Sequence, residues 1–300
     1  MSTVHHTPPA FADANGLKLC YDTFGAPGAP PLLLIMGLAG QMVAWDDEFC
    51  ALLAERGFRV IRFDNRDIGL STRIDSAGVP DVSAAFMAAM QGKPIPTPPY
   101  LLRDMAADAI GLLDALEIPN AHVVGASMGG AIAQTLAIHH ADRLRTLTSI
   151  MATTGEPGLP PPTAEALAVL FKPTPTDQAG YFDSYVQTWK VLRAGSFPLD
   201  EARDLARAGQ NHARGLNPAG VARQMVAILA SGSRKQALGA VRVPTLVIHG
   251  DIDPLVPLAC GLDTAESVPG AKLLVVPGMG HALPISKWPQ IVDAIAAHAA

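Results

Sequence analysis

Between residues 31 and 151 the chain alternates short strand-like segments rich in apolar residues with longer stretches whose apolar residues fall three and four apart. Pro31-Leu32-Leu33-Leu34-Ile35-Met36 contains no polar position, the mark of a strand covered on both faces. Residues 45–56 have helical spacing, and Gly57 stops them. Arg59-Val60-Ile61-Arg62-Phe63 predicts the next strand, a Pro-rich stretch ends at Pro99, and residues 101–116 again carry a helical stripe. His122-Val123-Val124 predicts a strand, 131–137 a helix and 144–151 another strand. Ahead of these, Asn15-Gly16 separates Phe11–Ala14 from the alternating Leu17, Leu19 and Tyr21, which predicts a β-hairpin. Such β-α-β-α alternation predicts an α/β protein with a mostly parallel central sheet and helices on both faces.

The rhythm breaks at residue 153. Up to about 238 strand-like runs vanish, and helical segments at 163–171, 178–192, 199–212 and 221–230 are separated by Pro and Gly. Strands at 245–248 and 272–276 then alternate with helices at 259–267 and 288–296. The expected organisation is a core made of residues 1–152 and 239–300, with residues 153–238 inserted as a helical cap.

Composition narrows the partners. The chain is 49% hydrophobic and 16% charged, with a formal net charge of −5. That balance supplies no basic face for nucleic acid or an anionic membrane. No apolar run approaches the roughly 18 residues of a membrane span, and the first residues lack the basic and apolar regions of a secretory signal. Cys20, Cys50 and Cys260 form no CxxC pair, so buried thiols in a reducing compartment are expected, with a cytoplasmic location. No sequence feature specifies an oligomer.

The candidate chemistry starts at Gly125-Ala126-Ser127-Met128-Gly129, directly after a strand and before a helix. Small residues on both sides of a serine suit a sharp strand-to-helix turn that exposes the hydroxyl. A serine needs a base, and the base needs an orienting acid. His281, in Gly278-Met279-Gly280-His281-Ala282 after the last strand, is the candidate base. Gly250-Asp251-Ile252-Asp253-Pro254, after the preceding strand, offers two carboxylates, and no acid stands in Met151-Ala152-Thr153-Thr154. The order serine, acid, histidine is one of the known orders for such a triad. Amide donors for a developing oxyanion would come from Met128 and from Leu38 in Gly37-Leu38-Ala39-Gly40. That glycine loop has neither the GxGxxG spacing nor a following Walker lysine, so it does not read as a nucleotide site.

With these motifs the chain resembles the α/β-hydrolase superfamily over nearly its whole length. Asp64-Asn65-Arg66-Asp67-Ile68-Gly69-Leu70-Ser71 looks like the loop that braces the oxyanion loop there, giving Arg66 and Ser71 architectural roles. The resemblance selects Asp253 as the triad acid and leaves Asp251 to hold loop amides. Met36-Gly37, Trp45-Asp46-Asp47-Glu48-Phe49 and Gly278-Met279-Gly280-His281-Ala282-Leu283-Pro284 are similar to the aclacinomycin methylesterase branch, which hydrolyses a methyl ester on a polyketide. Most relatives have His-Gly at Met36-Gly37, so a side chain that often stiffens this loop is missing. The resemblance implies a cofactor-free and metal-free serine carboxylic-ester hydrolase acting on a small apolar or aromatic ester. The same triad serves lactonases, C–C bond hydrolases and perhydrolases, and a ligand sensor could keep it as well. Gly37, Tyr181, Tyr185, Trp189 and Met225 are candidate pocket residues, the competing reading for the cap aromatics being a core of the cap itself.

Overall fold

The computed structural model describes residues 4–95, 98–195, 197–198 and 200–300. Among the described residues eight strands form one sheet: β1 (Ala10–Ala14), β2 (Leu17–Phe24), β3 (Pro31–Ile35), β4 (Arg59–Phe63), β5 (Ala121–Ala126), β6 (Leu144–Ile150), β7 (Thr245–Gly250) and β8 (Lys272–Val276). Their spatial order is β1-β2-β4-β3-β5-β6-β7-β8. The hairpin β1–β2 and the β2–β4 pair are antiparallel, and every pair from β4 to β8 is parallel.

Side-chain alternation sorts the apolar runs onto two faces. Leu33 and Ile35 of β3 join Val123 and Ile61 on one face, under α3 (Leu102–Ala115) and α4 (Met128–His139). Leu32 and Leu34 join Val60 and Val124 on the other. There they meet Phe49, Cys50 and Leu53 of α1 (Asp47–Glu55). Trp288, Ile291, Val292 and Ile295 of α11 (Trp288–Ala299) complete that layer. The unbroken apolar sequence of β3 is therefore the consequence of two helical layers. Cys20, Cys50 and Cys260 are free and buried.

Several boundaries differ from the sequence expectation. Ahead of Pro99, where the sequence pattern assigns no helix, the structure contains α2 (Val82–Met90), started by Asp81, whose carboxylate accepts from the Ala84 amide at 2.9 Å. Phe86 of α2 meets Phe171 edge-on, ring centres 5.1 Å apart. The first core helix starts at Asp47 rather than residue 45, because Trp45 is buried against Phe49 and follows a short 3-10 turn. The helix expected at 131–137 starts at Met128, since the contacts that need Gly129 and Gly130 outweigh their low helix propensity.

Between β6 and β7 the described residues form five helices: α5 (Ala164–Phe171), α6 (Gln178–Leu192), α7 (Glu201–Arg214), α8 (Pro218–Ser231) and the single turn α9 (Lys235–Leu238). The helix expected to begin at Leu199 has that residue outside the described set. Completing the helical numbering, α10 (Leu258–Ser267) follows β7.

Charged contacts fasten these inserted helices to the sheet layer. Arg203 of α7 reaches Asp46 at 2.8 Å and Glu48 at 2.7 Å, and Arg207 also binds Asp46. Arg214 binds Asp64, and Arg223 of α8 grips buried Asp67 with contacts of 2.8 and 2.6 Å. A buried arginine–aspartate pair gains little over an apolar pair, yet losing one partner strands a charge, so such pairs hold a defined seating.

His122 in β5 is buried, with Nδ1 2.9 Å from the Thr146 hydroxyl. Burial, reinforced by Arg145 and His298, pushes its imidazole down to about 4. The folded protein thus keeps His122 neutral where the unfolded chain already protonates. Its contribution is complete above the ordinary histidine range and is lost as pH falls toward 4. We predict that His122→Val lowers the slope of unfolding free energy against pH in that window, by up to about 1.4 kcal/mol per pH unit. Urea unfolding of both proteins measures this, and identical slopes would contradict it.

Candidate active site

Ser127 occupies the turn between β5 and α4 with φ 55° and ψ −121°, a strained conformation for a residue with a Cβ. Two glycines allow it. A Cβ on Gly129 would sit 2.1 Å from the Ile35 carbonyl oxygen, and one on Gly125 would sit 2.1 Å from the Gly129 oxygen. The end of β3 therefore lies against the start of α4, and the loop after β3 begins beside the serine. Gly37 is close enough that a Cβ there would meet Ser127 Cβ at 3.1 Å.

The ends of β7 and β8 deliver the other two groups. Ser127 Oγ lies 3.0 Å from His281 Nε2, and His281 Nδ1 lies 2.7 Å from Asp253 Oδ2. The other Asp253 oxygen accepts from the amides of Leu255 at 2.9 Å and Val256 at 2.8 Å. A carboxylate can only accept, so Nδ1 carries the imidazole hydrogen and Nε2 is left to accept from the serine hydroxyl. Asp253 and His281 are both buried, and Ser127 is half-buried. Asp251 instead accepts from the Gly278 amide at 2.6 Å, stitching the acid loop to the histidine loop.

His249, at the end of β7, was not singled out by sequence pattern. It is fully buried, donates from Nε2 to the Val256 carbonyl at 2.7 Å, and stands 3.8 Å from Asp253 Oδ2. Burial holds its pKa below the ordinary histidine range, so it is a neutral support for the turn that presents Asp253. A histidine one residue before the Gly-Asp-x-Asp turn was the available signal.

The loop after β3 is anchored at both ends by the Asp64–Ser71 segment. Asn65 Nδ2 donates to the Met36 carbonyl at 2.9 Å, and Asp64 Oδ1 accepts from the Met42 amide at 2.7 Å. Ser71 Oγ ties this segment together through the Asp64 carbonyl at 2.6 Å, and the Cys20 amide donates to it at 2.9 Å. Arg66 turns away to a bidentate pair with Asp108 of α3, both contacts 2.6 Å. The bracing side chains are thus Asp64 and Asn65, while Arg66 fastens the segment to the helical layer. The Leu38 amide lies in the braced turn and the Met128 amide follows Ser127 at the first position of α4, where the helix dipole is positive.

Of the five candidate pocket residues, the structure brings Gly37 to the serine. Tyr181, Tyr185 and Trp189 lie along α6 and pack on one another, with ring centres 5.9 and 6.0 Å apart. Tyr181 also faces His212 of α7 at 6.2 Å, and Met225 is buried on α8. The C-terminal end of α6 does reach the histidine loop, where the Leu192 carbonyl accepts from the His281 amide at 2.7 Å. No helix among the described residues is long and apolar enough to cross a membrane.

Comparison with known proteins bears on this arrangement. Rhodomycin D methylesterase of Streptomyces peucetius is 33% identical, the match covering 97% of this chain and 98% of the relative. The enol-lactonase of Burkholderia xenovorans superposes with a TM-score of 0.71 at 23% identity, covering 96% of this chain and 99% of the other. A meta-cleavage product hydrolase of Pseudomonas fluorescens superposes with a TM-score of 0.75 at 21% identity, covering 96% of each chain. These two likenesses speak for the fold alone. The sequence profile for the alpha/beta hydrolase fold matches residues 30–287, and the chain belongs to that family.

Proposed function

We propose that this hydrolase is a serine carboxylic-ester hydrolase that works through an acyl-enzyme. The observation that carries the proposal is the continuous hydrogen-bond chain from Ser127 Oγ through His281 to Asp253, at 3.0 and 2.7 Å. Ser127 Oγ attacks the ester carbonyl carbon while its proton passes to His281 Nε2. Asp253 holds the resulting imidazolium. The Leu38 and Met128 amides receive the oxyanion, each such donor being worth ~3 kcal/mol in the transition state. Collapse breaks the bond to the alkoxy group, which leaves with the proton from Nε2. Water, deprotonated by the same nitrogen, then releases the acid and restores Ser127.

The inserted helices, residues 153–238, act in this reading as a cap over the serine, with Gly37, Tyr181, Tyr185, Trp189 and Met225 shaping the pocket. Such a lining suits an apolar or aromatic ester. A methyl ester on a polyketide is the first substrate to test, because the methylesterase relative matches over 98% of its length. A panel of such methyl esters, lactones and vinylogous diketones separates ester cleavage from the other reactions open to this triad.

Ser127→Ala is expected to lower kcat/KM for a p-nitrophenyl ester at least about a thousandfold with the fold intact by circular dichroism. Full turnover by that variant would end the proposal. Asp253→Asn, which leaves the imidazole hydrogen on the wrong nitrogen, is expected to lower kcat about ten-thousandfold while KM changes little. A loss confined to KM would place Asp253 outside the triad.

A further inference from the structure

Gln224 of α8 is fully buried, although glutamine is seldom so, and both ends of its amide are used. Its Oε1 accepts from the Ala39 amide at 3.2 Å, and its Nε2 donates to the Arg66 carbonyl at 3.0 Å. Ala39 holds φ 61°, a left-handed conformation that a Cβ-bearing residue keeps only when its surroundings impose it. The turn around it closes with Gly40 donating to the Gly37 carbonyl at 3.2 Å. Next to it, Gln41 is held by the same inserted helices. Its Nε2 donates to the Asn211 and Gly215 carbonyls at 2.9 and 3.1 Å, and its Oε1 accepts from Arg214 at 2.9 Å. Gln224 itself is well fixed, because neighbouring Arg223 grips Asp67 and Asn217 Nδ2 donates to the Asp67 carbonyl at 2.9 Å.

We infer that Gln224 is a positioning residue for the oxyanion loop, replacing from the inserted helices the stiffening side chain that Met36-Gly37 lacks. The inference rests on the reading of Leu38 as an oxyanion donor. The Ala39 N–H belongs to the peptide plane that joins Leu38 to Ala39. Holding that N–H on Gln224 fixes the plane on one side of the Leu38 Cα. The Gly40 contact to the Gly37 carbonyl holds the Gly37–Leu38 plane on the other side, which carries the Leu38 N–H, so the two bonds together set its direction. The Asp64–Asn65 braces act at Met36 and Met42, outside this turn, and make no bond to the Leu38–Ala39 plane. Correct oxyanion geometry therefore depends on the inserted helices being seated.

The test is steady-state hydrolysis of a p-nitrophenyl ester by the full chain and its Gln224→Met, Ala39→Gly and double variants. Inhibition by a trifluoromethyl ketone, whose adduct with Ser127 carries an oxyanion, is measured in parallel. Gln224→Met is expected to lower kcat about 10- to 100-fold with KM within about threefold, and to weaken the ketone by a similar factor. Glycine adopts φ 61° without help, so Ala39→Gly in the Gln224→Met background is expected to restore part of kcat. Unchanged kcat in Gln224→Met, a rise in KM alone, or independent additive losses in the double variant would overturn the inference. If Gln224→Met fails to fold, Gln224→Glu retains an acceptor for the Ala39 amide. A loss of kcat in folded Gln224→Glu as large as that of Ser127→Ala would then overturn it, and near-retention of kcat would support it. Ser127→Ala run beside these variants separates the two failures. If it turns over like wild type, the hydrolase reading falls, whereas a dead Ser127→Ala with an unaffected Gln224→Met removes only the role of Gln224.

Discussion

The close approach of β3 to the start of α4 is the constraint from which the site follows. The Ile35 carbonyl leaves no room for a side chain at position 129, and the Gly129 oxygen leaves none at 125. With both positions reduced to glycine, the chain turns from strand to helix in a single residue, and Ser127 takes up the strained φ of 55°. The same contact sets the loop after β3 against the serine, so the candidate nucleophile and the candidate oxyanion donors are held by one packing contact. The cost of the strained residue is of order 1–3 kcal/mol and is borne by the two-sided core around β3 and β5.

Around that point the polar groups are organised in tiers. His281 and Asp253 stand on loops from neighbouring strands, joined by the Asp251–Gly278 contact and backed by neutral His249. Asp64 and Asn65 hold the ends of the loop after β3, and Asp64 and Asp67 in turn receive arginines from α7 and α8. One short segment thus touches the candidate site, the core helix α3 and the inserted helices together. These buried charges favour one seating of the inserted helices against the sheet layer.

Much of this was legible in the sequence, for identifiable reasons. A strand covered on both faces leaves an unbroken apolar run, as residues 31–36 do, and the short β-branched segments 59–63 and 122–124, each set between helical stripes, complete the reading of a parallel sheet. Sites in such sheets stand at strand ends, so Ser127 and His281 could be named as candidates from the glycines and strands around them, whereas choosing Asp253 over Asp251 took the family resemblance, and the distances between the three were not legible. Helix α2 escaped because prolines dominate its surroundings and its start depends on the local cap of Asp81. The roles of Gln224 and His249 escaped because each depends on a tertiary contact that periodicity does not encode; Gln224 lies 185 residues from Ala39 along the chain. The aromatic residues of α6 show the limit of composition. Their spacing identifies a shared face, whereas whether that face meets a substrate or its own neighbours is decided by packing.

The central claim is that Ser127 carries the acyl group during turnover. Rapid acid quenching of the protein with p-nitrophenyl acetate, followed by peptide mass spectrometry, tests it most directly, with Asp253→Asn included to slow deacylation. The account predicts one acetyl group on the peptide that contains Ser127, appearing with the first equivalent of p-nitrophenol and absent in Ser127→Ala. Turnover without that adduct in either protein, or an adduct that persists in Ser127→Ala, would contradict it.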